Sequence, residues 1–253
     1  MTRPYPETPP SEVYFFATCL VDLFYPEAGL AGVKLLRREG IKIDFPQDQS
    51  CCGQPAFNNG FMDDARKVAA AQLALFPENK PVVVPSGSCA GMIRKHYPEL
   101  FEGTPLEAAA RDLSERVYEL TEFLVHVLKV QYEDLGEPTK ITWHGSCHSV
   151  REMGITDEPK ILLNGLGNVT LEPLQREREC CGFGGTFAIK MPEVSAAMVT
   201  DKVADIDATG AEAVVSGDCG CLMNITGAQA KSKARAKGRH IAQFLWERIH
   251  GRD

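Results

Sequence analysis

The chain's nine cysteines fall into two sets built on one plan. Cys51-Cys52-Gly53 and Cys180-Cys181-Gly182 are two copies of a doubled cysteine followed by glycine. Cys19 lies 32 residues before Cys51, and Cys147 lies 33 before Cys180. Cys89 lies 37 residues after Cys52, and Cys219 lies 38 after Cys181, with Cys221 close behind. Two neighbouring thiolates can ligate from both sides of one bend. Glycine has no Cβ, so it accepts positive φ and lets the backbone approach a bound group closely. The candidate metal ligands are therefore Cys19, Cys51, Cys52, Cys89, Cys147, Cys180, Cys181, Cys219 and Cys221, with Gly53 and Gly182 as candidate cofactor-binding positions.

Iron–sulfur clusters are held by cysteine thiolates, usually four to a cluster. Zinc is the main rival, because it also takes four thiolates. Structural zinc sites commonly use short C-x₂₋₄-C pairs, and Cys219-Gly220-Cys221 is one residue too tight. A metal-free thiol–disulfide centre and a set of small buried hydrophobes are the other readings. Neither needs a doubled Cys-Cys-Gly, so the spacing favours iron–sulfur. Gly182-Phe183-Gly184-Gly185 extends the second loop and can turn backbone N–H groups toward cluster sulfurs. His144 and His148 flank Cys147 and are candidates for a place behind the ligands.

Composition narrows the classes. A net charge of −7 argues against a nucleic-acid partner, which needs a basic face. No stretch approaches the roughly 18 apolar residues of a transmembrane helix. The apolar run over residues 13–21 is short and is closed by Asp22, so it reads as a buried strand and not as a signal peptide. A cytoplasmic location is expected, where an odd number of cysteines serves metal or redox chemistry better than disulfides.

Elements must bring these cysteines together. The repeat predicts two similar units, residues 1–135 and 136–253, with a linker over 132–139. In the first, residues 13–18, 41–45 and 82–84 read as strands; 26–39, 63–76, 106–113 and 119–130 read as helices. In the second, 140–143, 169–171 and 213–215 read as strands; 158–164, 192–209 and 241–249 as helices. Residues 1–11 read as a mobile tail. The basic stretch 228–239, with Lys231, Lys233, Arg235, Lys237 and Arg239, reads as a solvated helix or loop. Alternating strands and helices predict an α/β fold: two pseudo-repeated cysteine-rich units, each a mainly parallel sheet flanked by helices. Each cysteine group follows a strand, and ligands of such sheets sit beyond the carboxyl ends of strands.

Five stretches carry a family resemblance: Ala17-Thr18-Cys19-Leu20-Val21-Asp22, Cys51-Cys52-Gly53-Gln54-Pro55-Ala56, Pro85-Ser86-Gly87-Ser88-Cys89, Cys180-Cys181-Gly182-Phe183-Gly184-Gly185-Thr186-Phe187 and Asp218-Cys219-Gly220-Cys221-Leu222-Met223-Asn224-Ile225. On these the chain resembles the paired cysteine-rich (CCG) domain family. That family includes the cysteine-rich subunit of heterodisulfide reductase and the iron–sulfur subunit of glycolate oxidase. The resemblance is closer to the lactate utilisation protein A branch. It implies a cytoplasmic iron–sulfur electron-transfer protein that acts with two other lactate-utilisation proteins in oxidising L-lactate to pyruvate. A thiol–disulfide redox subunit of the heterodisulfide reductase kind is the alternative. The matching cysteines are Cys19, Cys51, Cys52 and Cys89, then Cys147, Cys180, Cys181 and Cys221. The reductase ends each motif with C-x-x-C; here Met92 and Asp218 take one position of each pair. Four ligands then remain per half, which implies one 4Fe-4S cubane in each. The S-G-x-C text aligns Cys219 with Cys89, whereas the family ending favours Cys221.

Overall fold

The computed structural model describes residues 3–232 and 234–250. One compact unit ends at Gln131 and a second begins at Tyr132.

In the first unit, β1 (Glu12–Phe15) leads to α1 (Cys19–Phe24), α2 (Pro26–Arg38) and β2 (Lys42–Asp44). Pro26 starts α2 with a ready-made φ, Arg37 and Arg38 face its negative end, and Gly40 at φ 79 turns the chain out. Next come α3 (Gln54–Asn58), α4 (Met62–Leu73), β3 (Val82–Val84) and α5 (Gly87–Gly91). A π-helical turn (Met92–His96), α6 (Tyr97–Leu100), α7 (Glu107–Arg116), β4 (Val117–Glu119), α8 (Leu120–Glu122) and a second π-helical turn (Phe123–Val127) complete it. The strands form a parallel sheet in the order β2-β1-β3-β4. Ala65, Ala69 and Leu73 bury one face of α4, and in the turn after it Phe76 sets its ring edge-on to Tyr14 of β1 and to Phe16.

The second unit repeats the plan. Its elements are β5 (Thr139–His144), a π-helical turn (Ser149–Met153), α9 (Glu158–Asn164), β6 (Val169–Glu172), α10 (Phe187–Lys190) and α11 (Pro192–Ala208). β7 (Ala213–Ser216), α12 (Cys219–Ser232), β8 (Lys237–His240) and α13 (Ile241–His250) follow. The parallel order is β6-β5-β7-β8, the same as in the first unit. Arg248 straps the 132–138 segment onto α13. Its guanidinium grips Asp134 with two 2.7 Å bonds and donates to the Glu137 carbonyl at 2.6 Å.

The last strand of each sheet departs from the sequence reading. β4 is three residues long, too short to show an alternation, and lies between helices. β8 is Lys-Gly-Arg-His, and its first three residues end the basic stretch read as helix or loop. Its cations sit on an edge strand, where charge discourages pairing with other chains. Lys233 of that stretch lies outside the described residues. The amino-terminal segment, read as a mobile tail, is tied down from Arg3 onward. The Arg3 guanidinium donates to the Val117 carbonyl at 2.8 Å and lies 4.0 Å over the Tyr118 ring. Tyr5 stacks on His126 at 4.4 Å. Met1 and Thr2 lie outside the described residues.

With Cys19 matched to Cys147, 128 residues on, the strand registers fix which other residues of the two units correspond. Tyr14 pairs with Val82 in the first sheet, and Thr142 pairs with Val214 in the second. The inner strands thus match 128 residues apart for β1 and β5, and 132 apart for β3 and β7. Carried forward, Cys89 corresponds to Cys221, and Phe16 to His144.

Glu119, 3% exposed at the end of β4, caps α8. Its carboxylate accepts from the N–H of Thr121 at 2.7 Å and of Glu122 at 3.2 Å. Burial, partly opposed by these donors, raises its pKa from 4.5 to about 7. The folded state therefore keeps a proton that the unfolded chain has lost. The resulting stability is complete below pH 4.5 and is lost as pH rises through about 7. Between those limits the loss is on the order of 3 kcal/mol. Glu119→Gln is expected to flatten this slope in urea unfolding followed across that pH window. Parallel slopes in variant and wild type would exclude Glu119 as its source.

Candidate metal centres

In the first unit three strand ends deliver four thiols. Cys19 opens α1 just past β1, Cys51 and Cys52 lie in the loop after β2, and Cys89 lies on α5 after β3. The sulfurs form a hydrogen-bonded run in the order Cys19, Cys51, Cys52, Cys89. Cys51 is the member most biased toward thiolate. Donation from Cys19, then from Cys52 and the neighbouring amides, brings Cys51 down to about 3. The Gly53 N–H contributes from 3.4 Å. Cys19 is pushed up first by serving Cys51 and then by burial, and Cys52 by its bonds with Cys51 and Cys89 and then by burial.

The second unit repeats this in detail. Cys147 lies just past β5, Cys180 and Cys181 after β6, and Cys221 in the first turn of α12. The run is Cys147, Cys180, Cys181, Cys221. Cys180 is held down to about 2 by Cys147 and Cys181, with the Gly182 N–H at 3.3 Å. Cys147 and Cys181 are raised, chiefly as donors to Cys180. Cys221 would be lowered by its bond with Cys181, but burial and the charge of Asp218 carry it upward. Cys219 is buried at the start of α12, and the strand register gives the place of Cys89 to Cys221.

Gly53 and Gly182 share the left-handed backbone, at φ 89 and 81. A Cβ on Gly53 would come 3.3 Å from the Ala65 carbonyl oxygen; on Gly182 it would come 2.7 Å from that of Ser195. Each glycine therefore lets a Cys-Cys loop lie against a helix while its N–H turns back to a sulfur. Thr18, immediately before Cys19, has φ 69 and ψ 150, a conformation costly for a β-branched residue. Gln49 holds that turn, accepting from the Ala17 N–H at 2.9 Å and donating to the Phe15 carbonyl at 2.8 Å.

Two supporting residues escape a reading of spacing. The Tyr97 hydroxyl donates to the Cys52 carbonyl at 2.9 Å, and Asn224 donates to the Cys181 carbonyl at 2.8 Å. They do the same work from different sequence distances, so no repeat arithmetic pairs them. Asn224 does sit in the Cys221-Leu222-Met223-Asn224 stretch that carries the family resemblance.

The two histidines part company. His148 places Nδ1 3.5 Å from the Cys147 sulfur and Nε2 3.7 Å from Glu152. His144 is 1% exposed, and neither ring nitrogen has a hydrogen-bond partner. One of its nitrogens and the sulfurs of Cys181 and Cys221 lie within 4.8 Å of one another. Burial, then the charge of Lys202, lowers its pKa to about 3.

Four soft donors per unit, one already biased toward thiolate, fit a thiolate-bound metal group. The family described as "Cysteine-rich domain" (CCG) matches residues 13–94 and 141–226, one copy on each unit. Lactate utilization protein A of Geobacillus kaustophilus is 46% identical over 92% of this chain and 98% of its own. The protein of the same description from Shouchella clausii is 47% identical, and that from Bacillus subtilis 45%, with the same coverage. The chain belongs to the lactate utilization protein A family. In this member of the family the two CCG matches fall on two units of the same strand order. A crystal structure of a hypothetical protein from Helicobacter pylori superposes with a TM-score of 0.64 at 14% identity. It covers 98% of this chain, which spans about half (51%) of that protein, and the likeness is one of fold alone. Among the described residues, no helix is long and apolar enough to cross a membrane.

Proposed function

We propose that this protein is an iron–sulfur electron carrier in a multiprotein system oxidising L-lactate to pyruvate, with one 4Fe-4S cluster per unit. The observation that carries the reading is the doubled run of four thiols, in a chain so similar to proteins named for lactate utilization. Cys19, Cys51, Cys52 and Cys89 would hold one group; Cys147, Cys180, Cys181 and Cys221 the other. Such a group supplies one-electron redox chemistry when bound.

The chain's own residues do the rest. Cys51 and Cys180 are poised as the first thiolates, each with a glycine N–H on its sulfur. Tyr97 and Asn224 fix the carbonyls of the two Cys-Cys loops, so the sulfurs are set before a group binds. Lactate oxidation releases two electrons and two protons. Two one-electron sites match that pair, while the protons leave where lactate reacts. That reaction belongs to a partner, and two further lactate-utilisation proteins are the partners proposed. Cysteines that form no disulfide suit a reducing cytoplasm.

The test is EPR on anaerobically prepared protein, with iron and acid-labile sulfide assays. Lactate is expected to reduce the clusters only when the proteins encoded beside this one are present. Stoichiometric zinc without sulfide would overturn the cluster assignment. Oxidised clusters in the complete mixture would overturn the lactate assignment, and disulfide turnover by the protein alone would favour the reductase reading.

A further inference from the structure

We propose that His144 donates its ring N–H to the sulfur framework of the second centre, making that centre the more readily reduced of the two. The inference rests on the cluster reading above and adds a direction to it. Three observations carry it. Both nitrogens of His144 are buried and unpartnered. A ring nitrogen shares a 4.8 Å neighbourhood with the sulfurs of Cys181 and Cys221. The residue in the same place in the first unit is Phe16, fully buried, with its ring 6.0 Å from Phe76 and no polar atom to offer.

Four cysteines already complete the second thiol set, so the imidazole is not needed as a ligand. A neutral ring has one N–H and one lone pair. Both ring nitrogens are buried with no acceptor from the protein, and a sulfur of a bound cluster is an acceptor beside them. A hydrogen bond to sulfur stabilises the extra electron of the reduced state and raises the reduction potential. The first centre has the glycine amide but no counterpart of His144. At equilibrium an electron shared between the two centres therefore rests on the second.

A potentiometric titration of the cluster-loaded protein, followed by EPR, tests this. Two reduction steps are expected. In His144→Phe, which copies the first unit, the higher step should fall, its equilibrium constant dropping by about tenfold or more, as expected for a bond to a charged group. The lower step and the iron content should not change. His144→Gln keeps an N–H and should recover part of the shift. Pulsed EPR of the wild type should show a weakly coupled histidine nitrogen that both variants lack. An unmoved higher step, or no such nitrogen, would overturn the proposal. Strong coupling, with the second unit's iron lost from both variants while circular dichroism shows them folded, would make His144 a ligand and overturn it equally. Protein with no cluster signal at all would instead bring down the reading beneath it.

Discussion

Replacing Cys221 with serine is expected to remove about half of the bound iron, one of two clusters, while Cys219→Ser keeps nearly all of it. The two cysteines are two residues apart on one helix, and the sequence alone allows either. Strand pairing separates them. Once Cys19 is aligned with Cys147, Val82 and Val214 hold the same place against the neighbouring strand, and seven residues on from each lie Cys89 and Cys221. The sulfur contacts agree, because Cys221 meets Cys181 as Cys89 meets Cys52. Serine is a harder and far less acidic donor, so a three-thiolate set with one hydroxyl should hold iron poorly. Iron and sulfide assays on the two variants, prepared anaerobically, decide the matter. Loss of iron from Cys219→Ser with retention in Cys221→Ser would break the register argument.

Gly182→Ala should be strongly damaging although it touches no sulfur. Its φ of 81 costs an L-residue about 1–2 kcal/mol by itself. The new methyl would also sit 2.7 Å from the Ser195 carbonyl oxygen and 3.0 Å from Met198 Cβ. Relief by sliding is blocked, since the Ser195 hydroxyl donates to the Gly182 carbonyl at 2.8 Å and pins loop to helix. The amide that serves Cys180 would be displaced. Loss of the second unit's iron and a clearly lower midpoint of thermal unfolding are expected. Gly53→Ala meets its nearest atom at 3.3 Å, and should lose roughly the 1–2 kcal/mol backbone cost and keep its iron. Equal behaviour of the two variants would show that close packing at residue 182 is not what holds the loop.

Much of the frame was legible in the residues. Valine-rich runs such as Val82–Val84 are strands because both faces of a parallel sheet are buried, and α2 carried its own start and stop in Pro26 and Gly40. The doubled Cys-Cys-Gly located both loops after strands. What stayed hidden depends on contacts distant in sequence. β8 has no apolar pattern, since as an edge strand it is polar and held by backbone pairing with β7. Tyr97 and Asn224 reach equivalent carbonyls from unequal distances. The repeat arithmetic matched Cys89 to Cys219 because the second unit has a longer stretch between its Cys-Cys-Gly and the strand that follows. That stretch is 33 residues from Cys181 to Val214, against 30 from Cys52 to Val82. His144 could be noted beside Cys147, but its lack of any partner is a property of the packed site.

The strap made by Arg248 bears on how the second unit can be handled alone. Asp134 and the Arg248 side chain are 1% and 9% exposed, so neither charge has water to fall back on. The Gly136 backbone lies so near the guanidinium that a Cβ there would collide with it at 2.3 Å. Severing the chain at residue 136 would strip Arg248 of its counter-charge, a loss of about 3–5 kcal/mol for a buried pair. That is a large part of what a domain this size can spare. A gene fragment meant to yield the second unit by itself should therefore begin at Tyr132, keeping the acid together with the helix that reads it.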